Sequence, residues 1–404
     1  MSRNHDELWV RCDTLLTPFR RHEGCLLHIA GGKIAEIKLS SDTCRLPTAK
    51  LIHEGGATVV PGFVDVHVHG AGGQDVMEGS LRSLETISET LARYGITSFL
   101  ATTVSASPTD TAAALRSLAE TQNSVESGAN VVGIHMEGPF LNPARRGAHA
   151  ENYLRPAELS EFWSFVEMSR STIRKITLAP EMDPGLEVSR EATRMGICVS
   201  MGHSDATFEQ ARRAAEAGVR NATHLFNAMR PFHQREPGIA GLVLTDENIY
   251  AEVIADGHHV HSAALQLVVR LKPIERVVLV SDGTTAVGMP DGNYKLGDKP
   301  ITVRRRICRD ADGNLAGSTL TLDSAVRYLV NEMELSLEEA VSAATASPAR
   351  SIGIGGCKGM IAPGADADLV FLDGSLNVVK TMVAGRIVYE KERTGTDRIT
   401  GSTG

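Results

Sequence analysis

From residue 8 to about residue 60 the apolar positions come in short runs without a clear helical period. Runs at 26–30 and 33–37 flank Gly31-Gly32, and two glycines between such runs predict a tight hairpin. The far end repeats this style at 368–372, 378–383 and 386–389, the last pair joined across Ala384-Gly385. Neither end holds enough strands for a stable sheet alone, so the two are expected to share one small β domain.

Between the ends the pattern alternates. Candidate strands fall at 64–68, 96–102, 131–136, 173–178, 198–201, 221–225, 251–255 and 276–280. Amphipathic stretches such as 81–92, 111–119 and 208–217 lie among them, with apolar residues three and four apart. Alternating strands and helices in this number predict an α/β chain built as a (β/α)8 TIM barrel. A doubly wound dinucleotide fold would want G-x-G-x-x-G after an early strand, and none is present. The expected organisation is a barrel over residues 60–356 and a small β-sandwich domain assembled from residues 1–59 and 357–404.

The 404 residues carry 41 Lys+Arg and 49 Asp+Glu, a net charge of −8. Mild acidity speaks against a nucleic-acid partner, which would draw on basic clusters. The one obvious basic run, Arg304-Arg305-Arg306, is short, sits among β-like residues and reads as a solvated strand or hairpin edge. No apolar stretch approaches the ~18 residues of a membrane span, and residues 1–7 are too polar for a secretory signal. Cys12, Cys25, Cys44, Cys198, Cys308 and Cys357 are scattered, with no C-x-x-C pair, as in a reduced chain. A cytoplasmic enzyme is the resulting expectation.

Candidate chemistry gathers where the predicted strands end. The first strand runs Asp65-Val66-His67-Val68-His69-Gly70, and residues two apart on a strand point to one side, so His67 and His69 can share a target. Glu137 closes the third strand, His203 the fifth, His224 the sixth and Asp282 the eighth. A barrel brings all these ends to one face. Neutral imidazoles with a hard carboxylate suit zinc or a similar divalent ion, and three protein ligands leave a position open for water. Asp282 is the natural base, able to take a proton from an activated water and pass it to a leaving amine. His135 shares Glu137's side of its strand and is expected beneath the site. Asp282 could instead cap a helix, and any one histidine could be a satisfied core residue; their recurrence at strand ends favours a site.

Several segments carry a resemblance. They are Pro61-Gly62-Phe63-Val64-Asp65-Val66-His67-Val68-His69-Gly70, His135-Met136-Glu137-Gly138-Pro139-Phe140, Gly202-His203-Ser204 and Thr223-His224-Leu225-Phe226-Asn227-Ala228-Met229. Arg235-Glu236-Pro237-Gly238, Ala255-Asp256-Gly257-His258-His259, Val280-Ser281-Asp282-Gly283 and Leu315-Ala316-Gly317-Ser318-Thr319 follow in order. Together they resemble the amidohydrolase superfamily and, within it, the N-acetylglucosamine-6-phosphate deacetylase family.

The resemblance implies that Glu137, His203 and His224 bind the principal metal and that Asp282 acts as base, then acid. It implies that His259 steadies the acetyl oxyanion. Ala148, Asn227, Ala228, Leu315, Ala316 and Gly317 would line the sugar. His149 and Arg235 would face the phosphate, Arg235 reaching in from a partner subunit, which implies a homodimer. The ion would be zinc, with iron, manganese or cobalt as alternatives. His67 and His69 open the way to a second ion; because Lys175 sits at the wrong end of the fourth strand, Glu137 would have to bridge the pair. The expected substrate is a phosphorylated amino sugar. The rivals are its galacto epimer, another small amide and, from a different class, a non-catalytic scaffold, which would be expected to lose its ligands or its base.

Overall fold

The structure is a computed structural model, described here for residues 7–17, 20–39 and 50–392. Cys44 and most of the polar start at residues 1–7 lie outside the described residues.

Eight parallel strands follow one another around a barrel: Phe63–Val68, Ile96–Thr103, Asn130–Glu137, Ile173–Leu178, Cys198–Met201, Asn221–Ala222, Tyr250–Val253 and Val277–Leu279. The first and eighth meet through a bridge between Val68 and Gly283, where Asp282 N donates to His67 O at 3.0 Å and His69 N to Gly283 O at 2.8 Å. That seam places His67, His69 and Asp282 side by side. All six residues of Phe63–Val68 are buried, as expected of a strand covered on both faces.

The helices between strands form for local reasons. Leu81–Ala92 starts where Ser80 accepts from Ser83 N; Pro108–Thr121 carries Pro108 in its first turn behind Ser107. Phe208–Glu216 opens with a capping box between Thr207 and Gln210. Each turns its apolar face to the barrel, where the main core includes Leu84, Leu115 and Ala211.

Both termini build a separate sheet. Leu8–Thr17 pairs with Arg20–Ala30, which turns at Gly31-Gly32 into Lys33–Lys38. Thr58–Pro61 joins Leu8–Thr17 to Leu369–Leu372, followed by Val378–Val383 and Arg386–Glu390. This sheet encloses its own core of Val10, Leu15, Leu27, Ile29, Val59, Leu369 and Phe371. The α/β architecture is therefore the TIM barrel with a small β-sandwich domain built from the two chain ends.

One expectation needs correction. The sixth strand does not run over 221–225 but stops at Ala222, because His224, Phe226 and Ala228 take left-handed backbone angles (φ 32°, 76° and 49°) that no ladder tolerates. After the eighth strand the β-like residues around the basic run do form strands. Gly292–Leu296, Lys299–Arg304 and Ile307–Arg309 form a small antiparallel sheet over the barrel mouth, whose Leu296, Ile301, Val303 and Cys308 pack with Ala286 and Ala316. Its tip is the basic run, with Arg305 N and Arg306 N donating to Asp291. Among the described residues no helix is long and apolar enough to cross a membrane, and Cys12, Cys25, Cys198, Cys308 and Cys357 are free thiols.

Candidate metal centre and active site

Two trios of side chains meet at the mouth of the barrel. In the first, His203 Nε2 and His224 Nε2 are 3.1 Å apart, and each is 3.2 Å from Glu137 Oε1. In the second, His67 Nε2 lies 3.2 Å from His69 Nε2, while Asp282 Oδ1 is 3.5 Å from the former and 3.4 Å from the latter. Glu137 links them, since its Oε1 is 3.4 Å from His67 Nε2 and its Oε2 is 3.1 Å from His69 Nε2.

The spacing fits divalent ions. Ligands 2.0–2.2 Å from a tetrahedral ion stand about 3.3–3.6 Å apart, close to both triangles. The donor chemistry agrees. Two facing imidazole nitrogens can share only one proton, whereas a cation takes a lone pair from each. His203 Nδ1 contacts Arg145 O at 3.1 Å; donating there leaves its Nε2 lone pair free. Glu181, in the short 3-10 turn that follows the fourth strand, is committed elsewhere, accepting from Asn142 and Ser204.

Backbone strain helps aim these groups. His203, His224 and Asp282 have φ of 50°, 32° and 49°, a region costly for residues with a Cβ and concentrated at functional sites. Gly317 (φ 58°) closes in so tightly that a Cβ would stand 2.6 Å from Thr284 Cγ2 and 2.9 Å from Asp282 O.

The charges are coupled. Burial opposes ionisation of His67 and His69, but Glu137 and Asp282 outweigh it and push the imidazoles up to about 9 and about 10. Burial would raise Asp282, yet His67 and His69 bring it down to about 2, so it is ionised at neutral pH. Burial lowers His224, and it takes His149 down to about 4 with help from the neighbouring His203. At His259 burial favours the neutral ring, but Asp256 Oδ2, 2.7 Å from Nδ1, prevails and the pKa rises. That bond fixes the ring of His259, which lines the cavity described next.

A cavity of about 170 Å³ opens onto these groups, lined by His69, Glu137, His203, His224, His259 and Asp282 together with Ala148, His149, Asn227, Ala228, Leu315 and Gly317. His67 is wholly buried behind His69. His149 faces Glu137, with Nε2 3.3 Å from Oε2, because Ser105 N donates to its Nδ1 at 3.2 Å and leaves Nε2 as the donor. Ala316 is turned into the small core under the mouth hairpin, while its neighbours Leu315 and Gly317 line the cavity. Arg235 is exposed and stands outside the cavity, its N–H bonded to His233 Nδ1.

Sequence reasoning missed Ser105 and Asp256, which orient His149 and His259. A wider hollow of about 500 Å³ adjoins the cavity through Val104, Ala148 and Leu296 and carries Tyr153, Tyr294, Lys295 and Lys299. Nothing in the periodicity announced it, since the mouth hairpin forms one of its walls.

The model of the Amidohydrolase family matches residues 58–388. An N-acetylgalactosamine-6-phosphate deacetylase of Escherichia coli O157:H7 is 38% identical over 379 residues, covering 94% of this chain and 98% of its own. An N-acetylglucosamine-6-phosphate deacetylase of Bacillus subtilis is 36% identical over 365 residues, covering 89% and 92%. The structure is also similar to that of a Mycobacterium smegmatis N-acetyl-D-glucosamine-6-phosphate deacetylase mutant in complex with N-acetyl-D-glucosamine-6-phosphate. There the TM-score is 0.89 at 34% identity, over 95% of this chain and 99% of the other. With its barrel matched throughout and relatives aligned over nearly its whole length, the chain belongs to the amidohydrolase family.

Proposed function

We propose that this amidohydrolase hydrolyses the acetamide of N-acetylglucosamine 6-phosphate to glucosamine 6-phosphate and acetate, in amino-sugar catabolism or recycling. The observation that carries the reading is the meeting of Glu137, His203 and His224 with the Asp282 carboxylate at the mouth of the barrel. Relatives whose names specify the 6-phosphates support the substrate class.

Glu137, His203 and His224 would hold the principal ion, and His67, His69 and Asp282 a second, with Glu137 between them. Zinc is the proposed metal, because imidazole and carboxylate at these spacings suit it. When bound, such an ion supplies Lewis acidity, acidifying a water and polarising the acetyl carbonyl. Asp282 takes the water's proton as its oxygen attacks the acetyl carbon. His259, protonated and held by Asp256, donates from Nε2 to the carbonyl oxygen as charge gathers there. Asp282 then returns the proton to the nitrogen as the C–N bond breaks, releasing amine and acetate. His149 donates to Glu137 and fixes that carboxylate in place. Ala148, Asn227, Ala228, Leu315 and Gly317 would line the sugar, and Arg235 of a partner subunit would meet the phosphate in a cytoplasmic homodimer.

The galacto epimer is kept as a second substrate, since the relative at 38% identity is named for it. Acetate release from both 6-phosphates and from unphosphorylated N-acetylglucosamine, with metal content determined on the same batch, tests the reading. Fast release from N-acetylglucosamine 6-phosphate is expected. Preference for the galacto epimer would move the assignment to it, and inertness toward both 6-phosphates with metal bound would overturn it.

A further inference from the structure

Inside the barrel, beneath the two trios, lies a buried ion pair that the proposed chemistry does not use. Lys175 Nζ and Glu252 Oε1 are 2.6 Å apart and both side chains are fully buried. Asn221 Nδ2 donates to the same Oε1 at 3.1 Å. The other oxygen, Oε2, has no hydrogen-bond partner; it lies 3.9 Å from His67 Nδ1, which has none either. Two buried polar atoms left without partners, each facing the other, call for a reason, because such atoms are normally satisfied.

We propose that Glu252 is a positioning residue: it accepts the proton of His67 Nδ1 and so commits the lone pair of His67 Nε2 to a divalent ion shared with His69 and Asp282. The inference rests on the reading that this trio holds an ion. His67, Lys175 and Glu252 come from the first, fourth and seventh strands and meet inside the barrel. Lys175 and Asn221 both donate to Oε1, which leaves Oε2 for the imidazole. At 3.9 Å the gap exceeds a direct hydrogen bond, and a small ring tilt closes it. An acceptor behind a ligating histidine fixes its tautomer and strengthens it as a donor to the metal. Lys175 compensates the carboxylate's charge where water cannot.

Glu252→Gln gives the idea a sharp test. The amide oxygen must face the donors Lys175 and Asn221, which turns the NH2 group to His67 Nδ1. That nitrogen must then accept, and the ring proton moves to Nε2, where it blocks ligation. Zinc-loaded protein titrated with a chelator should release two ions, and the one missing in His69→Ala identifies this trio. E252Q should bind that ion about 10–100-fold more weakly and hold the other as the wild type does. Nitrogen-15 spectra of the zinc-loaded wild type should show His67 protonated at Nδ1. K175M/E252L removes the acceptor without stranding a charge and should show the same selective loss; it decides the matter if E252Q does not fold. Wild-type affinity at this trio, or equal weakening of both ions, would overturn the inference alone. A wild type that binds a single zinc would instead overturn the reading of the second trio, and the inference with it.

Discussion

His203 Nε2 and His224 Nε2 stand 3.1 Å apart, and both residues hold left-handed backbone angles at the ends of neighbouring strands. The strain and the approach belong together. A regular strand would carry each side chain outward along the barrel wall. A left-handed residue at its end breaks the ladder and turns the ring over the mouth, where Glu137 waits between the two trios. Asp282 repeats the device on the eighth strand. Such angles cost about 1–3 kcal/mol each and persist only where the surroundings enforce them.

Asp282→Asn removes the proposed proton carrier while keeping its shape. It should lower kcat by at least about 10²–10⁴-fold and leave the ion of Glu137, His203 and His224 in place. Steady-state kinetics with metal analysis on the same sample checks both halves; a variant that stays fast would remove Asp282 from the role of base.

The pH profile tests His259. Asp256 raises its pKa, so the protonated donor persists to higher pH than in an ordinary histidine, and activity should fall only as pH passes through that raised value. Asp256→Asn removes the charge that raises it, and the alkaline limb of kcat should move to lower pH. A limb that does not move would exclude His259 as the donor.

Arg235 is exposed on this chain and lines no part of the cavity, so its proposed contact must come from a second subunit. Arg235→Ala should raise KM for the 6-phosphate with little effect on kcat and none on the unphosphorylated sugar. Equal loss with both sugars would take Arg235 out of phosphate recognition.

Much of this was legible because it follows short-range rules. The H-x-H of the first strand reads as one-sided at once, since period two puts His67 and His69 together, and the barrel itself emerges from alternating runs and helical stripes. Strand ends were legible only where the ladder is regular. At His224 the chain bends through φ 32°, an angle that a histidine's own preference does not announce. Long-range partners were hidden. In the sequence Lys175 reads only as too far from the mouth, and its pairing with Glu252 joins positions 175 and 252, which no local pattern connects. His149 could be placed near the site but not against Glu137, because Ser105, from another loop, decides which of its nitrogens donates.

The small domain built from the two chain ends makes a separate prediction about stability. Lys358 Nζ lies 2.6 Å from Asp368 Oδ2 and 3.0 Å from Asp366 Oδ2, and Asp368 is buried. Lys358→Met strands the Asp368 charge, whereas Asp366 keeps Lys33 at 2.9 Å. Removing one partner of a buried pair costs about 3–5 kcal/mol, so the denaturation midpoint should drop accordingly. A loss under about 1 kcal/mol, the scale of a surface pair, would contradict this account.

The most direct test of the central claim is an anomalous difference map from crystals of the zinc-loaded protein, recorded on both sides of the zinc absorption edge. A strong peak is expected within ligand distance of Glu137, His203 and His224, at the mouth of the barrel beside Asp282. Loaded crystals with no peak there, or with these three side chains directed apart, would contradict it.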